Sequence, residues 1–339
     1  MLSHPVRQTE LADCLSLRPA SRGDELTDPA RALVAWQHLL ASPAFHASVV
    51  ERELPSERQR ILGFGATVFV SRDFAEAEIG SPQPGLNSRI LASIGGSQPV
   101  VLSDRQLCLD NSGDGLHLVV LVSAWRPGLT PDAACDVRAR LTANFLEAHL
   151  GYHLKCLLME ATNDVDVEQA ASAQRFRLHS TFEQFHERYP MNRWNRDRAL
   201  FVMTREDAMS ASAVIAGILF ERRTPQLMLH PTDQQLIQVA QGGGTDAEIA
   251  LALGVSVSAV KKRWLALFDR LSRIKPGLVP DESMESLTAR GPQKKHKILA
   301  YLRDRPEELR PLNLGVTHGS RSLSSRRRRS VDGPHPLNV

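Results

Sequence analysis

The side chains in this sequence with spacings that could do chemistry fall into metal-type and phosphate-type sets. Glu147, His149 and His153 put a carboxylate and two imidazoles at ligand spacing, provided one helix carries all three. Gly151 lies between the histidines and ends that helix, so the plainer expectation is a helix C-terminus whose dipole favours imidazolium. His179, Glu183 and His186 repeat the pattern and read as a surface group, and no metal site is assigned. Cys14, Cys108, Cys135 and Cys156 form no CxxC pair, so neither zinc-finger spacing nor a disulfide framework is expected, only inert thiols. A GxxxxGK[ST] phosphate loop is absent and no Ser/His/Asp or Cys/His arrangement stands out. No catalytic residue is therefore assigned, and the chain is not read as an enzyme. The phosphate-type sets are cationic: Lys261, Lys262 and Arg263 in succession, and the run Arg326, Arg327, Arg328, Arg329 near the C-terminal end.

The charge distribution isolates the cationic end. The net charge of +3 is the difference between +7 over residues 229–339 and −4 over the 228 residues before them. Six of the seven lysines lie beyond residue 260, where a polyanion would be held through its phosphates. With 339 residues and 42% hydrophobic content the chain can bury the cores of two domains. It contains no apolar run long enough to span a bilayer, and residues 1–10 lack the pattern of a secretion signal, so a cytoplasmic protein without membrane contact is expected.

The elements that must carry these residues alternate between strand and helix. Residues 1–25 show no period and read as a loose arm. A mixed α/β domain is expected over 26–204, with strands at 65–71, 99–103, 116–125, 153–161 and 199–204 and helices at 131–150 and 165–175. The sequence Asn111-Ser112-Gly113-Asp114-Gly115 predicts a hairpin turn. A connecting helix and linker occupy 205–228, and an all-α domain spans 229–312 with its last helix at 294–309. The polar, arginine-rich segment 313–339 reads as a disordered tail.

Within 229–272 three helices are punctuated by Gly242-Gly243-Gly244 and Gly254. Thr245 with Glu248 three residues on has the spacing of a capping box, and Ser256 is placed to cap the third helix. In that helix Val257, Val260, Trp264, Leu267, Phe268 and Leu271 share one face. Ser258, Lys262 and Leu265 lie opposite, with Lys261 and Arg263 on the flanks.

This segment resembles the LuxR/FixJ-type helix-turn-helix without a gap. The match runs through Pro231, Asp233, Leu236, Gly243, Glu248-Ile249-Ala250, Leu253-Gly254-Val255-Ser256, Val260-Lys261 and Leu271. The resemblance implies a DNA-binding set of Thr245, Ser256, Ser258, Lys261, Lys262, Arg263 and Leu265, with Lys261 and Lys262 reaching base edges. Arg326 to Arg329 would add non-specific phosphate contacts. The chain departs from the family in placing Ala259 where Thr is common, and in a Pro/Gly-containing stretch before the last helix, which would then supply the dimer contact.

The resemblance implies a sequence-specific transcriptional regulator: double-stranded DNA as partner, a homodimer, possible contact with RNA polymerase, and a signal-responsive sensor domain at the N-terminus. No cofactor is assigned, and an unidentified small-molecule effector is left open. Two alternatives compete. One is a degenerate or active acetyltransferase-like domain fused to a DNA-binding module, suggested by the strand-helix-strand order over 116–161. The other is a protein similar to region 4 of sigma factors, against which stand the upstream strands and the 5% aromatic content.

Overall fold

The computed structural model describes residues 1–17, 29–52, 60–97, 99–162, 167, 171–172, 175–182, 198–209, 214–279 and 291–313. Its centre is one mixed seven-stranded sheet in the order β1-β2-β3-β4-β5-β7-β6. The strands are β1 (Leu2–Pro5), β2 (Phe45–Glu51), β3 (Ile61–Val70), β4 (Leu116–Trp125), β5 (Leu154–Thr162), β6 (Arg177–Thr181) and β7 (Arg198–Thr204). Only β4 and β5 run parallel; every other neighbouring pair is antiparallel. The mixed α/β architecture expected from the sequence is therefore present.

Continuous apolar runs make the central strands. In β3 nine of the ten residues are buried, which requires cover on both faces of the sheet. One face is covered by α1 (Leu11–Ser16), α2 (Pro29–Leu40), α3 (Arg72–Gly80) and α4 (Leu86–Ser93), packed around Trp36, Phe64 and Val119. The other is covered by α5 (Asp104–Ser112), α6 (Pro131–His149), α7 (Arg205–Met209) and α8 (Val214–Phe220). Thr130 caps α6 with Pro131 in its first turn, and Gly151, at φ +85°, turns the chain back into β5.

Several local expectations differ from the structure. Leu2–Pro5, in the segment expected to be a loose arm, pairs with β2. Residues 99–103 make only an isolated bridge, Val70 to Val101, because Ser103 closes a capping box with Gln106 and starts α5. The Asn111 to Gly115 signal then ends that helix instead of closing a hairpin. Most of the expected helix 165–175 lies outside the described residues.

The C-terminal part consists of α9 (Pro231–Gln241), α10 (Asp246–Ala252), α11 (Val257–Ile274) and α12 (Gly291–Arg303), followed by a 3-10 turn, Pro306–Leu309. These elements share one core built on Leu236, Ile249, Val260, Trp264, Leu271, Ile298 and Leu302. The apolar face of α12, expected to meet a second copy, is buried in the core of its own chain.

Residues 307–313 tie this unit to the sheet. Glu308 accepts from the amides of Gln226 and Leu227, both at 2.9 Å, while Gln234 Nε2 donates to the carbonyls of Glu308 and Arg310. Arg310 reaches the other way, its Nε donating to Leu150 O (2.8 Å) and its Nη2 to Glu147 O (2.9 Å) at the end of α6, with the guanidinium 4.8 Å from the Tyr152 ring centre. A cation there answers both the exposed carbonyls and the negative end of the helix dipole. Gly151 is required at this junction twice over, by its positive φ and because a Cβ would overlap the backbone of Pro306 and Glu307.

A buried polar cluster lies beside Arg310. His149 Nε2 meets Thr67 Oγ1 at 3.0 Å and its Nδ1 meets Phe145 O, while the His46 ring packs edge-on against His149 and Phe69. Burial first, then the charge of Arg310, brings His46 down to about 4; burial and His46 hold His149 well below an ordinary imidazole. A depressed folded-state pKa means that the neutral rings stabilise the fold fully above about pH 6.5, and that this contribution is lost as pH falls from there through about 4. We expect the urea midpoint to drop over that window and the drop to shrink in His46→Phe; equal pH profiles for the two proteins would refute the assignment.

Candidate functional site

The one parallel pair in the sheet is also the place where the sheet opens. Opposite β3, Thr67 pairs with Val120 and Ala66 with Val122, which leaves Leu121 without a counterpart as a bulge in β4. Opposite β5, pairing runs from Leu116 with Leu154 to Val120 with Met159 and then stops. Both strands continue: β4 stays paired with β3 as far as Trp125, and β5 with β7 as far as Thr162. A wedge therefore opens between Leu121–Trp125 and Glu160–Thr162, and the backbone of β4 facing it has no strand partner among the described residues.

The N-terminal end of α4 reaches the head of this wedge. Asn87 Nδ2 donates to Leu121 O at 2.7 Å, taking the place of a strand amide. Asn87 is buried, and its Oδ1 has no hydrogen-bond partner among the described residues. Glu160, whose side chain is fully buried, accepts from Gly85 N (3.1 Å) and Leu86 N (2.5 Å) and pairs with Arg198 Nε at 3.1 Å. A buried carboxylate among aliphatic neighbours is tolerated because two amides and a guanidinium face it. Glu160 thus fixes α4 to β5, and Asn87 fixes α4 to β4.

Two further features flank the wedge. The loop from β4 to α6 runs Arg126 to Thr130, in which Arg126 Nε donates to Ile61 O and Thr130 Oγ1 accepts from Ala133 N. Pro127 and Pro131 lack N–H groups, so this helix start has few free donors for a phosphate. On the face carrying α1 to α4, a groove of about 430 Å³ between α2 and α4 is lined by Val34, Ala35, Leu91 and Ile94, with Arg31 and His38.

The residues singled out in the sequence are elsewhere. Thr245 and Ser256 act as helix caps: Glu248 N donates to Thr245 Oγ1 at 3.3 Å and Ala259 N to Ser256 Oγ at 3.1 Å. Ser258, Lys261, Lys262 and Leu265 are exposed on α11, Leu265 at 66%, and Arg263 is half-buried. Trp264 packs inward, with Lys295 Nζ 5.2 Å from its ring centre. Of the inward set, Val257 is exposed at 39%, since it opens the helix beyond the reach of the core. Arg326 to Arg329, Glu183 and His186 lie outside the described residues, and His179 meets Ile79 O. His149 and His153 do not share one helix: His149 ends α6 with its ring buried on Thr67, while His153 lies beyond Gly151, its backbone amide donating to Asn111 Oδ1. Sequence reasoning missed Asn87 and Glu160, although an acid inside the apolar run Leu157-Leu158-Met159-Glu160 signals a buried charge with partners.

No family model matches the chain, and no curated protein does. Solved structures do. NAA60 of Arabidopsis thaliana, in complex with a bisubstrate analogue, matches at 13% identity over 60% of this chain and 97% of that one, with a TM-score of 0.39. A spermidine N-acetyltransferase of Vibrio cholerae matches at 8% identity over 61% and 96%, with a TM-score of 0.35. A probable acetyltransferase of the GNAT family from Chromobacterium violaceum matches at 16% over 60% and 86%, with a TM-score of 0.31. The expectation of a non-enzymatic, sensor-type transcriptional regulator is corrected here: the last two of these proteins are acetyltransferases by description, which favours the acetyltransferase-like alternative over it.

Asn87→Ala would leave Leu121 O without its donor in a buried place, so we expect a loss of about 1–3 kcal/mol. Chemical denaturation measures it, and a stability equal to the parent chain would show that α4 does not hold the wedge.

Proposed function

We propose that the α/β unit is an acyltransferase that takes its acyl group from a thioester, and that the wedge between β4 and β5 receives the donor. The observation that carries this reading is the bulge at Leu121 with the loss of β4–β5 pairing beyond Val120 and Met159. An open strand edge recognises extended chains that carry amides, by the same hydrogen bonds that join strands. The pantetheine arm of an acyl thioester is such a chain, with two amide groups. The unpaired Oδ1 of Asn87 supplies a buried acceptor beside the edge. In the reaction an acceptor amine attacks the thioester carbonyl, the carbon–sulfur bond breaks, and the thiol leaves with the amine's proton. A strand amide directed into the wedge would hold the carbonyl oxygen as charge develops on it.

The test uses the full chain with acetyl-CoA and octanoyl-CoA. Saturating donor at about 100 times its Kd stabilises a protein by about 2.7 kcal/mol, which shows as a rise in melting temperature. Asn87→Leu should lose most of that rise. No shift with either donor, or a shift untouched by the substitution, would remove the proposal.

For the C-terminal unit we propose that α9 to α11 form the LuxR-type helix-turn-helix, serving as a targeting module that brings the acyltransferase to double-stranded DNA. The supporting observation is the exposed face Ser258, Lys261, Lys262 and Leu265, set over the buried seam Val260, Trp264, Leu267 and Leu271. Lys261→Ala and Lys262→Ala should each weaken duplex binding, by about 1–3 kcal/mol where a bidentate base contact is lost. Fluorescence anisotropy reads this, and unchanged affinity in the double variant would exclude this face.

A further inference from the structure

At the outer edge of the sheet three potential metal ligands meet far from the wedge. β1 and β2 pair with Leu2 opposite Glu51 and His4 opposite Val49, so His4 and Glu51 are diagonal neighbours. The chain then turns back through the 3-10 turn Gln8–Glu10 and brings Glu10 to the same place. His4 Nε2 lies 3.8 Å from Glu10 Oε1 and 3.6 Å from Glu51 Oε2, and the ligand atoms of the three residues all fall within 4.8 Å of one another. The side chains are largely withdrawn from water, with exposures of 20%, 13% and 6% for His4, Glu10 and Glu51.

The orientation of His4 gives the cluster its direction. Its Nδ1 lies 2.8 Å from Pro5 O, a carbonyl that only accepts, so Nδ1 carries a proton and Nε2 is the ring nitrogen turned to the carboxylates. Holding one ring nitrogen on a backbone carbonyl while the other is free is the usual arrangement of a metal-ligating histidine. That Nε2 is buried, and among the described residues the polar atoms it faces are the Glu10 and Glu51 carboxylates at 3.8 and 3.6 Å. One imidazole nitrogen and two carboxylates therefore converge on one point, a donor set that a cation at the centre would satisfy.

Two arginines lie close by without filling it. Arg60 Nε is 2.5 Å from Glu51 Oε2 and Arg60 Nη2 is 2.8 Å from Oε1, while Arg7 Nη1 is 3.6 Å from Glu10 Oε1. Their side chains are 47% and 63% exposed, so they approach from the solvent side and can swing away at the small cost of a surface ion pair. An imidazole nitrogen and two carboxylate oxygens neutralise a divalent ion of borderline softness. For tetrahedral zinc the ligand atoms would stand about 3.3 Å apart, so the two distances from His4 need contract by only a few tenths of an ångström, while the two carboxylates, within 4.8 Å of each other, draw together by side-chain rotation.

We propose that His4, Glu10 and Glu51 bind a divalent transition-metal ion of the zinc class, with water in the remaining position. The ion would fasten the N-terminal strand and turn to the sheet edge. The test titrates the full chain with zinc by calorimetry and with cobalt by visible absorption, alongside thermal melts. The parent protein should bind one equivalent that His4→Gln and Glu10→Gln each weaken at least tenfold, with a rise in melting temperature that both variants lose. Arg60→Ala should bind as tightly or more tightly, because it removes the competitor for Glu51. The proposal is overturned if no equivalent depends on His4 and Glu10, or if histidine NMR shows that the His4 ring remains protonated at pH 8 with zinc present, a proton then holding the centre.

Discussion

The arrangement of the N-terminal unit follows from one constraint: a strand edge that opens inside a sheet must still satisfy its backbone groups. The bulge at Leu121 redirects β4, and its neighbour β5 parts from it inside the sheet, with three strands beyond β4 on one side and two beyond β5 on the other. Exposed N–H and C=O groups at such a depth cost about as much as lost hydrogen bonds unless something meets them. Helix α4 meets one of them with a side chain, Asn87 on Leu121 O, and is itself held to β5 by the Glu160 carboxylate, which accepts from the amides of Gly85 and Leu86. The opening is thus held from one side by a helix and not closed by a strand.

The same economy joins the two halves of the chain. The turn Pro306–Leu309 is buried against both, with Glu307 and Glu308 each 1% exposed, and Arg310 caps the carbonyl end of α6. Burial raises the Glu308 carboxyl, and the amides of Gln226 and Leu227 work against that rise. Burial lowers the Arg310 guanidinium, and the Tyr152 hydroxyl opposes it. Charges of this kind are expensive to bury and costly to leave without their partners, so they specify one docking geometry more than they add stability. Any movement of the helical unit relative to the sheet has to break these contacts first.

How much of this was readable from the chain depends on range. The strands at 116–125 and 199–204 and the helix from Pro131 were legible because apolar runs, a capping threonine and a first-turn proline act within a few residues. The trihelical segment was legible for the same reason, its caps Thr245 and Ser256 standing where the sequence put them. Strand β1 was not, since Leu2–Pro5 has no period of its own and is ordered only by pairing with β2. The turn residues Asn111 to Gly115 were recognised as a stop but assigned to the wrong kind of stop, because the partner that decides it, the capping box at Ser103, precedes them by a whole helix.

The sequence by itself determined where chain segments start, stop and bury a face, and it placed the cationic residues on the outer side of α11. Tertiary structure alone decided that the unit before them carries an opened parallel pair, with Asn87 and Glu160 brought to it from 34 positions before Leu121 and 75 positions after Gly85. It also decided that the apolar face of the last helix is buried in the core of its own chain. The physical reason is that hydrogen-bond satisfaction is a condition on neighbours in space. A pattern of residue types reports which groups will need partners, and only the packed fold shows where those partners stand.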